Sequence, residues 1–322
     1  MKEKVKVSAP GKIILSGEHA VVYGYPDLLA AVNRRLTISL GKTKNKQQKV
    51  LPKSTALVNY ALKKLRPIFK EANQQGVRVE INSQIPIGRG MGSSAALAVA
   101  LSGAAFQLGG HTWNLEEVNQ SAYEIEKKQH GKPSGGDNTI SAYGGFLWFR
   151  KEAEGVKLFH HLKPKRLLKI LLIDTGKPKE NTGQMISLVK DFLSKCPRKA
   201  KDTFQNIEEV TRCFLKFLIA EKNYSLRDLF KKNERLLETL GVVSDRTKNI
   251  IRKIEKLGGG AKISGAGGQK AGSGIILAYH SQLSAIRQFA QKEDLPIFEV
   301  KLGEEGVRVE KKKNSEKRNN SN

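Results

Sequence analysis

The chain predicts an α+β protein, and three observations carry that prediction. The first 40 residues are β-branched runs broken by Gly, Pro and Asn: "KVKVSA", "KIILSG", "AVVYG" and "RLTISL". From Thr182 onward, successive segments place apolar residues at helical spacing. The chain then finishes as strand, helix and strand, through "AKISG", "IILAY", a helix from Ser281 to about Lys292, and "IFEVKL". Strands at both ends with helices interposed fit an α+β arrangement.

The elements follow in order. "GKTKNKQQKVLPK", Gly41 to Lys53, is a polar loop or flap. Ser54 caps a helix running to about Asn73, with Leu57, Ala61, Leu62, Leu65 and Phe69 on one stripe. "VRVEINSQIP" alternates as a strand with one solvated face. "GRGMGSSAALAVA", from Gly88, is a glycine-rich turn feeding a helix of small residues, which Gly109 or Gly110 ends. Asn114 caps the next helix, striped by Leu115, Val118, Ala122 and Ile125 and ended by Gly131. "TISAYGGFLWFRK" and "VKLFHHL" predict a hairpin, and "LLKILLID" a buried strand. The helical stretch comprises "TGQMISLVKDFLSK", "FQNIEEVTRCFLKFLIAEK", "SLRDLFKKNERLLETLG" and "SDRTKNIIRKIEKLGG". In the third of these, Ser225 and Asp228 have capping-box spacing. The expected division is a domain over 1–165, a second over 166–310, and a disordered basic tail over 311–322.

Composition narrows the function classes. An apolar content of 39% with 27% charged residues suits a soluble domain with a real core. No window offers the roughly 18 uncharged apolar residues of a membrane span, so no membrane partner is expected. "MKEKVKVSAPGKIIL" lacks the apolar run of a secretory signal. Cys196 and Cys213 form no metal-binding spacing, so the expectation is a cytoplasmic protein with reduced thiols and no zinc. The net charge of +26 raises nucleic acid as a partner. Its distribution argues against that, because the tail from Glu310 holds only five basic and two acidic residues. The rest is spread along helix surfaces, without an aromatic RNA-binding motif, zinc finger or basic zipper. A solvated basic surface that attracts anionic metabolites is the expected consequence.

Three glycine-rich places carry chemistry. In Gly88 to Ser94, alternating glycines can present backbone amides to a ligand, and Ser93 and Ser94 stand where a helix begins. Free N–H groups and the helix dipole there suit a phosphate. The stretch is neither a Walker loop, lacking GK[ST], nor a dinucleotide fingerprint, having Ser93 at the third glycine. A glycine turn with a serine cap explains it equally well. In "SAPGKIILSGEHAVVYG", Lys12 reads most simply as a solvated strand end, whereas Glu18 and His19 sit in an apolar hairpin where polar groups need partners or a ligand. "KISGAGGQKAGSGIIL", Lys262 to Leu277, is either a loop that closes over a ligand or a long hairpin turn.

Together these segments resemble the GHMP small-molecule kinases. "APGKIILSGEHAVVYG", "IPIGRGMGSSAA" and "KISGAGGQKAGSG" are similar to the three motifs of that family, in its order. "EIEKKQHGKPSGGDNTISAYGG" resembles the segment with the catalytic aspartate, and "DTGKPKENT" and "NERLLETLGVVS" resemble parts of the C-terminal half. The combination of "GEHAVVYG" with "HGKPSGGDN" is closest to the branch that phosphorylates mevalonate.

The resemblance implies a ribosomal protein S5 domain 2-like N-terminal domain, a ferredoxin-like C-terminal domain and a cleft between them. It implies transfer of the γ-phosphate of ATP, with Mg²⁺, to the C5 hydroxyl of mevalonate in isoprenoid biosynthesis. Asp137 would take the hydroxyl proton, and Lys12 would keep it ionised. Gly88, Arg89, Gly90, Met91, Gly92, Ser93 and Ser94 would wrap the ATP phosphates. Ser94 and Glu126 would hold Mg²⁺, with Ser93 and Glu124 as near competitors. Lys12, Glu18, His19, Asp137, Thr182, Gly265, Ala266 and Gly267 would line the substrate, although Thr182 also suits a helix N-cap.

Two departures bear on the acceptor. Gly136 stands where the family carries a bulkier residue, and Gln269, Lys270 and Ala271 where it carries more glycine. Lys270 could reach a phosphate or face solvent. Alternatives are therefore a family member acting on phosphomevalonate, on another hydroxyl of mevalonate, on homoserine or on a sugar, and a non-catalytic basic binding protein on this fold. The resemblance leaves room for a homodimer.

Overall fold

A long antiparallel pair opens the chain. In a computed structural model describing residues 3–43, 49–51, 56–68, 76–131, 133–166 and 168–311, β1 (Lys4–Ser16) runs beside β2 (Pro26–Thr43) from Lys4 opposite Gly41 to Ser16 opposite Leu28. β2 is one continuous strand, buried at Leu28 to Val32 and again at Leu36, Ile38 and Leu40. "AVVYG" is not a strand. The link between β1 and β2 is too short for one, and Ala20–Tyr23 closes it as a 3₁₀ turn.

The expected flap is partly strand. Gly41 to Thr43 end β2, and β3 (Lys49–Leu51) lies parallel to a later strand. α1 (Ala56–Leu65) buries Val58, Ala61, Leu62 and Leu65 and gives way to a 3₁₀ turn up to Ile68. The Ser54 cap, the helix residues from Phe69 to Asn73 and the tail beyond residue 311 lie outside the described residues. β4 (Gly76–Ser83) pairs with the end of β2 and with β3.

α2 (Ser93–Leu108) packs on β1 and β2, with α3 (Leu115–His130) and α4 (Gly136–Tyr143) against it. Its alanines, Ala95, Ala96, Ala98, Ala100, Ala104 and Ala105, are all fully buried, so small side chains let it sit close to sheet and helices alike. "TISAY" belongs to α4 and not to a strand: Gly135, in a left-handed conformation, starts a helix there. The hairpin is β5 (Phe146–Ala153) with β6 (Val156–Leu162), and β5 also pairs with the start of β2.

The second sheet begins with β7 (Leu171–Asp174), fully buried. α5 (Thr182–Lys195), α6 (Pro197–Leu218), α7 (Leu226–Thr239) and α8 (Asp245–Lys256) follow. Asn181, not Thr182, caps α5, with Gln184 completing a capping box, while Ser225 accepts from the Asp228 amide to cap α7. β8 (Gly260–Ile263), β9 (Ile275–Tyr279), α9 (Leu283–Lys292) and β10 (Ile297–Phe298) complete the unit. "IFEVKL" supplies only the two residues of β10. Strand order is β10-β7-β9-β8, antiparallel throughout, which is the ferredoxin-like order.

The chain then returns to its beginning. β11 (Arg308–Val309) pairs with β1 at Val7 and Ser8. Arg35, only 8% exposed, clamps this return. Its guanidinium donates to Ser8 Oγ at 2.7 Å, to the Glu305 carbonyl at 2.8 Å and to Glu304 Oε1 at 3.1 Å, and also to the Gly306 carbonyl. Among the described residues no helix is long and apolar enough to cross a membrane.

Candidate active site

One cavity of about 1050 Å³ collects nearly all the residues singled out above. Its lining runs from Lys12, Glu18 and His19 through Gly88 to Ser94, Glu126 and Asp137, to Thr182 and Gly265 to Gly267.

The glycine turn is shaped by backbone contact. Gly92, left-handed at φ 70°, stands at the N-cap of α2 without a side-chain cap, so the first amides of that helix remain for a ligand. A Cβ at Gly90, where φ is 86°, would lie 2.4 Å from the carbonyl oxygen of Ser264. The third glycine-rich segment therefore rests directly on the turn. Arg89 lines the cavity and pairs with Asp174, its Nε 3.1 Å from Oδ2.

Lys12 enters from β1, where the Lys12 amide donates to the Met91 carbonyl at 3.0 Å. Its Nζ lies 3.1 Å from Asp137 Oδ1. The lysine side chain is 3% exposed and the aspartate 42%, so a buried cation backs a carboxylate that faces the cleft. Asp137 sits in the first turn of α4, where the helix dipole favours a negative charge.

On α3, Glu126 is buried and accepts from Ser94 Oγ at 3.2 Å. Glu124 faces outward and pairs with Lys127 at 2.9 Å. Burial, reinforced by Asp137, pushes the Glu126 carboxyl up to about 8. A desolvated carboxyl beside a second acid, with a hydroxyl at hand, offers hard oxygen donors to a cation. Among the described residues no three His, Cys, Asp or Glu side chains gather as a metal site.

Glu18 and His19 occupy the turn after β1. Glu18 pairs with Lys262, both fully buried, and Lys262 also donates to the Ile14 carbonyl at 3.2 Å. Burial raises Glu18 and lowers Lys262, while their mutual attraction opposes both shifts. His19 takes a positive φ of 63°, and its Nε2 lies 3.0 Å from the Ala266 carbonyl. Burial lowers its imidazole to about 4, so it is neutral at pH 7. Thr182 stands exposed at the cavity rim as the first residue of α5.

Comparisons with known proteins identify the family. Residues 56–145 match the model of the GHMP kinases N terminal domain. A mevalonate kinase of Thermococcus sibiricus is 31% identical across 95% of this chain and 98% of its own length. The chain belongs to the mevalonate kinase family. A second relative, the mevalonate kinase of Archaeoglobus fulgidus, is 30% identical over 94% of this chain and 99% of its own. The crystal structure of L. major mevalonate kinase in complex with R-mevalonate superposes with a TM-score of 0.76 at 23% identity, covering 95% of this chain and 98% of that one. The two-domain GHMP kinase fold is thus the fold of this chain, an enzyme of the ATP-dependent kinase class.

Within this mevalonate kinase family member, sequence reading missed several cavity residues. Lys177 lays its stem over Gly88: a Cβ there would meet Lys177 Cε at 3.0 Å. Asn138 ties α4 to α3 by donating to Asn119 Oδ1 at 2.5 Å. Lys262 is the buried partner of Glu18, and its position at the head of the third glycine-rich segment was the one available signal. Asp27 lines the same cavity and carried no signal at all. The departures at Gln269, Lys270 and Ala271 are exposed, and none of the three lines the cavity.

Proposed function

We propose that this chain phosphorylates mevalonate, moving the γ-phosphate of ATP to the C5 hydroxyl with Mg²⁺ and giving 5-phosphomevalonate and ADP in isoprenoid biosynthesis. The observation that carries this reading is the buried Lys12 behind cleft-facing Asp137, in one cavity with the glycine turn of α2. Two free cysteines, one of them exposed, suit a reducing cytoplasm.

Asp137 accepts the proton of the C5 hydroxyl as the oxygen attacks the γ-phosphorus. The bond from that phosphorus to the β,γ-bridging oxygen breaks, and the electron pair leaves with ADP. Lys12 orients Asp137 through their 3.1 Å ion pair and stabilises charge on the attacking oxygen. The turn from Gly88 to Ser94 orients the phosphates through backbone amides. Ser94 Oγ and Glu126 would hold Mg²⁺, which would supply positive charge to offset that of the phosphates. Glu18, His19, Thr182 and the Gly265 to Gly267 loop shape the acceptor pocket.

A coupled assay of ADP release tests the reading, with mevalonate, phosphomevalonate, homoserine and galactose offered separately. Turnover is expected with mevalonate and to be far weaker with the others. Turnover with another alcohol and none with mevalonate overturns it.

A further inference from the structure

A carboxyl without a partner stands at the acceptor end of the cavity. Asp27 is 2% exposed, and among the described residues its Oδ1 makes no hydrogen bond. It stands near the start of β2, with its backbone opposite Phe149 of β5, and lines the same cavity as Lys12, Glu18 and Asp137. Burial raises its carboxyl well above the ordinary range, and Asp137 adds to that. An unpaired buried carboxyl costs folding stability, so its presence calls for a ligand that completes it.

Gly136 lies beside this carboxyl. A Cβ at Gly136 would lie 3.6 Å from Asp27 Oδ2 and 3.1 Å from Leu29 Cδ1. Any side chain longer than alanine at 136 would press on the carboxyl. Glycine therefore leaves space beside Asp27, one residue away from Asp137.

Mevalonate has three polar groups to distribute. The C5 hydroxyl belongs to Asp137 and Lys12. The C1 carboxylate fits poorly beside Asp27, a buried acid whose neighbours include Asp137 and Glu18, with Lys12 offsetting only part of that charge. The tertiary hydroxyl at C3 remains, and a hydroxyl can pair with a carboxyl in either protonation state. We propose that the Asp27 carboxyl hydrogen-bonds the C3 hydroxyl of mevalonate and so selects acceptors that carry a second hydroxyl. This rests on the mevalonate reading given above.

The test compares wild type, Asp27→Asn and Asp27→Ala on mevalonate and on its 3-deoxy analogue, 5-hydroxy-3-methylpentanoate. Wild type should prefer mevalonate by about 10,000-fold in kcat/KM, the discrimination that a site built to hydrogen-bond a hydroxyl achieves against the analogue lacking it. Asp27→Ala should remove most of that preference by losing rate on mevalonate and far less on the analogue. Asp27→Asn, which keeps a hydrogen-bonding group, should retain part of it. Both variants should melt at or above the wild-type temperature, because a buried unpaired carboxyl has gone. Equal losses on both substrates, an unchanged preference, or lowered melting in both variants overturns the proposal in favour of a structural role. A wild type that phosphorylates both compounds equally defeats Asp27 selection alone. A wild type inactive on mevalonate but active on another alcohol defeats the mevalonate reading itself.

Discussion

The two sides of the cleft are made of different material. On the phosphate side, backbone prevails: Gly88, Gly90 and Gly92 bend the chain, α2 offers uncapped amides, and the Ser264 carbonyl lies against Gly90. On the acceptor side, side chains prevail: Lys12, Glu18, His19 and Asp27 are all buried, with buried Lys262 behind Glu18. Phosphates carry a fixed charge that amides can meet without titrating. Moving a proton off a hydroxyl needs ionisable groups, and burying those groups costs desolvation that only pairing offsets. Errors on the phosphate side should therefore act through shape, and errors on the acceptor side through charge.

The largest expected effect is at the acceptor carboxylate. Asp137→Asn keeps the shape and removes the proton acceptor, so kcat should fall about 1,000-fold. ATP binding, read by calorimetry, should stay near wild type; a variant with kcat within tenfold of wild type would show that Asp137 is not the base. Next comes the buried pair. Lys262→Met strands Glu18 and should destabilise the fold by roughly 3–5 kcal/mol in denaturant unfolding, while the double change with Glu18→Gln should recover much of that. No recovery would mean that packing, not charge, sets the loss.

The phosphate side gives a smaller effect of a different kind. Gly90→Ala places a methyl group against the Ser264 carbonyl, and overpacking of this sort costs roughly 1–3 kcal/mol. The KM for ATP should rise more than that for mevalonate, and the reverse order would blur the contrast between the two sides. The smallest effect is a pH slope. His19, lowered to about 4 in the fold, protonates more readily when unfolded. Stability should therefore fall as pH drops from about 6.5 to about 4, at no more than about 1.4 kcal/mol per pH unit from this group. His19→Asn should flatten that part of the urea-derived stability curve, and an unchanged slope would show that His19 does not contribute to it.

The same contrast explains what the sequence made legible. The glycine turn, the α2 and α3 boundaries and the stripes of α5 to α8 depend on neighbours within a turn or two, so local pattern announces them. The resemblance singled out Lys12, Ser94, Glu126 and Asp137, and the fold gathers them in one cavity. Glu18 and Lys262 are 244 positions apart, and no local signal ties them. Asp27 sits in an ordinary strand run, and only tertiary packing exposes its missing partner. Composition misled at "AVVYG" and "TISAY", where β-branched content favours a strand. A short link makes a 3₁₀ turn of the first, and the Gly135 start turns the second into helix.

The return of β11 to β1 also sets an order of assembly. β7 to β10, and with them the second sheet, are all synthesised before residues 302–309. The first sheet has most of its strands early, yet β1 keeps an open edge until Leu302 to Val309 arrive and Arg35 finds its carbonyls. Among the described strands, the one that carries Lys12 is made before the others and enclosed after them. A growing or truncated chain thus exposes that edge to other unfinished strands, and the arrival of Arg308 and Val309 separates a closed sheet from an aggregation-prone one.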